Sequence, residues 1–137
     1  MPIAIGGYIK LIYFIGGIIQ LFKDMQIISE KITSEELKKI ALSRFGILIK
    51  AVVDIERNII ALDAEFHSDL EKLLLSDGSK QSDLWGINLY PQEHGEDFLE
   101  YDSMINLRPG QGNKTRGVDD PRIREKIEKL IAKLVQK

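Results

Sequence analysis

Two apolar runs rich in β-branched residues, at residues 48–56 and 59–66, are separated only by Arg57 and Asn58. Strand-like runs joined by so short a connection are typical of a β-hairpin, although Arg-Asn is a weaker turn signal than Asn-Gly. The two strands of a hairpin run antiparallel. This spacing therefore constrains the fold more than any other feature, because it places an antiparallel sheet at its centre.

A strand and a helix are predicted before the hairpin. Residues 26–32 form a short apolar run, after which Thr33 and Glu36 occupy the N-cap and N3 positions of a capping box. Gly46 supplies the C′ residue that ends a helix. The helix then presents one apolar stripe, made of Leu37, Ile40, Ala41 and Phe45.

A second helix and a further strand are predicted after the hairpin. Ser68 and Glu71 form another capping box, which starts a short helix through Leu75. Residues 84–90 follow as a strand. Its apolar side chains that share one face are Trp85, Ile87 and Leu89.

Residues 98–108 alternate in a way that predicts another strand, with a polar face that carries Asp102, Asn106 and Arg108. A final helix has Asp120 at its N-cap and Pro121 at N1. Its apolar stripe consists of Ile123, Ile127, Leu130, Ile131 and Leu134. The order β-α-β-β-α-β-β-α predicts a single α+β domain with three helices and a mostly antiparallel sheet of about five strands.

Composition narrows the function classes. At 137 residues and 44% hydrophobic content the chain can bury one core. A net charge of −2 gives no general attraction to nucleic acid, so any anion site must be local. The absence of cysteine excludes disulfides and thiolate metal sites and fits a reducing, cytoplasmic compartment. Abundant Ile, Lys and Glu resemble thermophile composition.

The first 24 residues form an apolar extension that we consider apart from the domain at 25–137. Residues 3–22 are long enough to span a bilayer, but Lys10 interrupts the run. Three interpretations stay open: an extension upstream of a start at Met25, a membrane anchor that would tether the protein, or a buried or oligomer-forming element. A cleaved signal peptide is disfavoured, because no positive region precedes the run.

A glycine-rich basic loop, residues 108–117, follows the predicted polar strand. Its glycine backbone could turn N–H groups towards an anion. It departs from a Walker A loop, since Asn113 precedes Lys114 where glycine is required. The alternative is a mobile surface loop. The predicted ligand-binding residues are Asn88, Asn106, Arg108, Gly110, Gly112, Asn113, Lys114 and Arg116.

The metal candidates are Glu65, His67, Asp69 and Asp102, and three of these, Glu65, His67 and Asp102, are also the catalytic candidates. If the strands that carry them are neighbours, they could bind a divalent cation or serve as acid and base in a hydrolysis. The alternative is structural: capping explains Ser68 and Asp69, and a solvated sheet face with a buried network explains the rest.

Four segments carry a family resemblance: Glu-Phe-His-Ser-Asp at 65–69, Asp-Gly-Ser-Lys-Gln at 77–81, and the stretches at 83–88 and 102–109. Together they resemble a small prokaryotic family whose domain has no assigned function. The resemblance covers roughly residues 25–137 and implies no catalytic residues.

The leading functional hypothesis is a domain that binds a small anionic or nucleotide-like ligand through its polar sheet face and basic loop. A second hypothesis is a metal-assisted or acid/base hydrolase. The third is a homodimeric interaction module that pairs through the final helix or an edge strand.

Overall fold

The computed structural model describes residues 24–137, together with the backbone of residues 2–5 and 8–11. Its strands are β1 Pro2–Ile5, β2 Tyr8–Leu11, β3 Gln26–Ile28, β4 Ile32–Thr33, β5 Ile49–Asp54, β6 Ile59–Leu62, β7 Leu84–Leu89, β8 Leu99–Glu100 and β9 Val135–Gln136. The helices are α1 Ser34–Arg44, α2 His67–Ser76 and α3 Pro121–Leu134.

The main sheet has the order β1-β2-β3-β6-β5-β7-β8, and every pairing in it is antiparallel. Five of these strands lie within residues 25–137, so the predicted α+β class, its antiparallel sheet and its three helices are confirmed. A separate parallel pair joins β4 to β9 and links the start of α1 to the end of α3.

Helices cover both faces of the sheet. Leu37 of α1 and Ile127 of α3 pack on one face, with Val53 and Ile87 from the strands. Leu70, Leu73 and Leu74 of α2 pack on the other, with Ile27, Val52, Ala61 and Leu84. The two cores alternate along each strand because successive side chains point to opposite faces.

The capping signals predicted two helix starts correctly. Thr33 Oγ1 accepts from the backbone N–H of Glu36 at 3.1 Å, and Asp120 Oδ1 accepts from that of Arg122 at 2.9 Å. Gly46 adopts φ +87°, as the predicted C′ residue of α1.

The prediction of a capping box at Ser68 was wrong. Helix α2 begins at His67, and its N-cap residue, Phe66, makes no side-chain capping bond. The Nε2 atom of His67 lies 2.8 Å from the carbonyl oxygen of Ile87, which secures this residue to the sheet as the first residue of the helix. As a result, the N-cap residue donates no side-chain bond to the N-terminus of α2, and Asp69 is the acidic residue of its first turn.

The long strand predicted at 98–108 was also wrong. Strand β8 ends at Glu100, and a 3₁₀ turn occupies Met104–Asn106. Ser103 caps that turn by accepting from the N–H of Ile105 at 3.3 Å. The sequence therefore alternates between apolar and polar residues as far as Arg108, but the backbone after Glu100 does not pair as a strand.

The apolar extension is described only in part. The backbone of β1 and β2 forms an antiparallel pair that adds to β3. Residues 12–23 lie outside the described residues, and the three interpretations of the extension stay predictions. Among the residues that are described, no helix is both long and apolar enough to cross a bilayer.

Candidate functional site

A row of polar side chains crosses three neighbouring strands of the sheet. Lys50 of β5 is paired in register with Asn88 of β7, and Asn88 with Glu100 of β8. Directly opposite residues point to the same face, so the three side chains are neighbours. Lys50 is therefore the residue of the otherwise apolar β5 that belongs to this row of polar side chains.

A cavity of about 280 Å³ lies above this row, at the N-terminus of α2. It is lined by Lys50, Phe66, His67, Ser68, Asn88, Asp102, Ser103, Met104, Ile105 and Arg116. We call it the α2 pocket. Four of the predicted site residues meet there: His67, Asn88, Asp102 and Arg116.

Asn88 forms the buried floor of the α2 pocket, with only 7% of its surface exposed. Its Nδ2 donates to Glu100 Oε1 at 2.8 Å, which fixes the orientation of the amide. Asn88 Oδ1 is buried and has no hydrogen-bond partner among the described residues. A buried acceptor of this kind is costly unless a water or ligand donor satisfies it.

His67 is held beside this floor as a neutral ring. The Ile87 carbonyl can only accept, so Nε2 carries the proton and Nδ1 is left as an acceptor. Burial lowers the pKa of His67 below its usual 6.5, and Lys50 adds to the shift. The Ile87 carbonyl, Asp102 and a hydrogen bond with the side chain of Asn88 oppose it.

Two cations, Lys50 and Arg116, line the α2 pocket. Lys50 Nζ lies 5.3 Å from the ring centre of Phe45 and 5.7 Å from that of Phe66, and it forms no ion pair within the described residues. Arg116 Nε donates to Asp102 Oδ1 at 2.7 Å, in a pair that is about half exposed. Lys50 is consequently the cation that is free to meet a ligand.

The open N-terminus of α2 adds to this positive character. The first N–H groups of a helix lack intrahelical partners, and the helix dipole favours negative charge at this end. Asp69 lies in the first turn of α2 and places a carboxylate at the same end of the helix.

Arg108 and Asn106 have structural partners. The Arg108 guanidinium stacks 4.5 Å from the Trp85 ring centre and donates to the carbonyls of Leu84 and Ile105. Asn106 is fully buried and binds the backbone of Gly86. Neither side chain lines the α2 pocket.

The glycine-rich loop is organised around Asn113. Its buried amide donates to the carbonyls of Asn106 at 2.7 Å and Gly117 at 2.9 Å. Asp119 accepts from the N–H of Lys114 at 2.6 Å and from Thr115 Oγ1 at 2.5 Å. These two bonds, led by that of Thr115, lower the pKa of the Asp119 carboxyl.

Asp119 therefore occupies the place that an external anion would take in this loop. The loop residues Gly110, Gly112 and Lys114 are exposed and do not line the α2 pocket. Arg116 is the loop cation that does. The ligand-binding assignment of these residues stays a prediction.

The proposed metal ligands are dispersed. Glu65 is exposed, Asp69 is partly exposed, and neither lines the α2 pocket with His67 and Asp102. Within the described part of the chain, no group of three or more His, Cys, Asp or Glu residues is placed to hold a metal ion.

Sequence reasoning missed several pocket residues, above all Lys50, Phe66 and Met104. A signal for Lys50 was available, since it is a lone cation inside the apolar run at 48–56. Phe66 and Met104 gave none, because an apolar residue next to a strand end reads as core.

A larger cavity of about 730 Å³ lies between α3 and the β8 edge. Its apolar lining comes from Phe98, Leu99, Ile131, Ala132 and Val135, with Glu96, Glu128 and Lys137 among its charged residues. We call it the α3 groove.

These features define a class: a two-faced antiparallel α+β domain with a small polar pocket at one helix N-terminus. Residues 26–134 match the family described as protein of unknown function (DUF5674), and the chain therefore belongs to that family. The resemblance inferred from the four sequence segments is confirmed. Comparisons with curated proteins and with solved structures give no match.

Proposed function

We propose that the protein binds a small anionic, nucleotide-like ligand in the α2 pocket. The observation that carries the proposal is the meeting, in one cavity, of Lys50, which forms no ion pair among the described residues, and a helix N-terminus whose N-cap residue makes no side-chain bond. Both favour an anionic group.

The size of the pocket limits the ligand. Ligand sites in proteins commonly have volumes of about 300–1,000 Å³, so a cavity of about 280 Å³ takes a ligand at the small end of this range. A dinucleotide would not be enclosed. The net charge of −2 does not favour or disfavour such a ligand, because the cations that would bind it are local to the pocket.

The experiment is a melting-temperature screen of the full chain with mononucleotides, sugar phosphates and small carboxylates. A ligand at 100 times its Kd stabilises the fold by about 2.7 kcal/mol, enough to raise Tm by several degrees. Lys50→Gln should abolish the shift, and the exposed Lys72→Gln on α2 serves as the control. If no compound raises Tm, or if Lys50→Gln responds like the parent chain, the proposal fails.

A hydrolase version of this function would use His67 as the general base, since the ring is neutral and shares the pocket with Asp102. It predicts turnover of a bound phosphoester or carboxylic ester that disappears in His67→Gln. Binding without turnover in the parent chain would exclude it.

A homodimer is the second candidate function, through the α3 groove. The groove joins apolar side chains to the acidic Glu96 and Glu128 and the basic Lys137. Two copies related by a two-fold axis can pair such opposite charges. Light scattering of the full chain tests this: Ala132→Arg should convert a dimer into a monomer, whereas a monomeric parent chain would exclude it.

A further inference from the structure

Two buried acceptors are neighbours in the α2 pocket, His67 Nδ1 and Asn88 Oδ1. His67 Nε2 donates to the Ile87 carbonyl at 2.8 Å, so the neutral ring carries its proton there and Nδ1 holds only a lone pair. Asn88 Oδ1 has no hydrogen-bond partner among the described residues. A hydrogen bond with the Asn88 side chain is one of the interactions that raise the pKa of His67, because it needs the proton of the charged ring.

The Asn88 amide cannot turn over to relieve this mismatch. Its Nδ2 donates to Glu100 Oε1 at 2.8 Å and to the Asp102 carbonyl at 3.4 Å. Both partners are acceptors, so a reversed amide would place Oδ1 against two oxygens. The amide is therefore fixed, and a proton on His67 Nδ1 supplies the donor that Oδ1 lacks.

Charged groups from several parts of the fold surround this ring. They are Lys50 of β5, Glu100 of β8, Asp69 in the first turn of α2, and Asp102 with its partner Arg116. Burial lowers the pKa of His67 most, Lys50 lowers it further, and Asp102 raises it. Because the pKa lies below 6.5, the ring is neutral at pH 7 and takes up a proton only in acidic solution.

A proton taken up by His67 changes the charge of the α2 pocket. Lys50 and His67 both line the cavity, so the charged ring would add a second cation to it beside the paired Arg116. An anion in the cavity would offset the repulsion between the two cations. Proton uptake and anion binding then favour each other, and the coupling is reciprocal.

We propose that His67 and Asn88 form a proton site that couples anion binding in the α2 pocket to pH. One proton from solution binds His67 Nδ1 and is donated to Asn88 Oδ1, and the charged ring then holds the anion together with Lys50. Anion affinity therefore increases as the solution becomes more acidic. The coupling rests on the proposed function, whereas the proton site itself needs no ligand.

The first test is an NMR titration of the His67 ring in the full chain carrying His94→Gln, which leaves a single histidine. Asn88→Ala should lower the pH of the midpoint, because the charged ring loses its acceptor. Lys50→Gln should raise it, because a repelling charge is removed, and the exposed Lys72→Gln on α2 is the control. An unchanged or raised midpoint in Asn88→Ala would overturn the proton site.

A measurement without a variant at Asn88 covers the case in which Asn88→Ala does not fold. Below the midpoint, the Nδ1 proton of His67 should give a slowly exchanging, hydrogen-bonded NMR signal. A ring that takes up its proton but exchanges Nδ1–H freely with water would contradict the bond to Asn88 Oδ1.

The second test repeats the titration in sodium sulfate and in sodium chloride of equal ionic strength. Sulfate is a divalent anion whose charge stays constant across this pH range. It should raise the midpoint relative to chloride, and Lys50→Gln should reduce this effect. Equal midpoints in the two salts would overturn the coupling.

The two proposals fail in different ways. If Asn88→Ala lowers the midpoint but no compound of the melting screen raises Tm, the proposed function and the coupling are wrong and the proton site stands. If a compound raises Tm equally at acidic and neutral pH, ligand binding stands and this inference is wrong.

Discussion

The side chain of Asn106 pairs with both backbone groups of Gly86. Its Oδ1 accepts from the Gly86 N–H at 2.8 Å, and its Nδ2 donates to the Gly86 carbonyl at 2.9 Å. The amide thus takes the place of a strand partner on the edge of β7 beyond the two residues that β8 pairs. It also explains why the alternating sequence after Glu100 needs no strand there.

Removing this amide should destabilise the fold. In Asn106→Ala the buried N–H and C=O of Gly86 lose their partners, which costs about 2 kcal/mol or more and should lower Tm by several degrees. Asn106→Asp should be at least as harmful, because the carboxylate cannot donate and its charge is buried. Thermal unfolding followed by circular dichroism measures both, with the exposed Gln111→Ala as the control. An unchanged Tm in Asn106→Ala would show that water replaces the amide at no cost.

Gly86 should not tolerate a side chain while Ser103 is present. A Cβ atom at position 86 would lie 2.5 Å from the Ser103 Cβ and 2.6 Å from its Oγ. We expect Gly86→Ala to cost about 1–3 kcal/mol through overpacking. Ser103→Gly also loses the cap of the 3₁₀ turn. Urea unfolding of the single and double variants should give a double variant more stable than the sum of the single effects predicts, and simple additivity would contradict the clash.

Stability should rise with pH through the titration of His67. Because burial lowers the folded-state pKa below 6.5, the unfolded chain binds more protons between the folded-state pKa and 6.5. The contribution is complete above 6.5 and is lost as the pH falls through that window. Urea unfolding at a series of pH values should show this slope in the parent chain and in the exposed His94→Gln, but not in His67→Gln. A slope that survives in His67→Gln would assign it to other groups.

The Asp102–Arg116 pair should compete with an anionic ligand for the Arg116 guanidinium. Asp102→Asn removes one negative charge from the α2 pocket and frees Arg116, so we expect anion affinity to increase by about 0.5–1 kcal/mol, roughly two- to fivefold. Calorimetric titration with ribose 5-phosphate measures the change, and Asp120→Asn, which disrupts a pair with Arg122 outside the pocket, is the control. Weaker binding in Asp102→Asn would mean that Asp102 contacts the ligand directly.

The sequence by itself determined the elements whose signals are local. The two-residue spacing at Arg57 and Asn58 predicted the hairpin, and the caps at Thr33 and Asp120 predicted two helix starts. These succeed because turn length, orphan N–H groups and apolar periodicity act over a few residues. The same signals, taken in order, were enough for the α+β class and its antiparallel sheet.

Only the tertiary structure showed which residues line the α2 pocket. The alternation at 98–108 failed as a strand because Asn106 hydrogen-bonds to Gly86 of β7, 20 residues away in the chain. Ser103 packs against the same glycine. The capping box at Ser68 failed because His67 is tied to Ile87. Lys50, Asn88 and the N-terminus of α2 meet through strand register, which a single sequence does not encode locally. Long-range packing therefore decided which polar residues support the fold and which face the pocket.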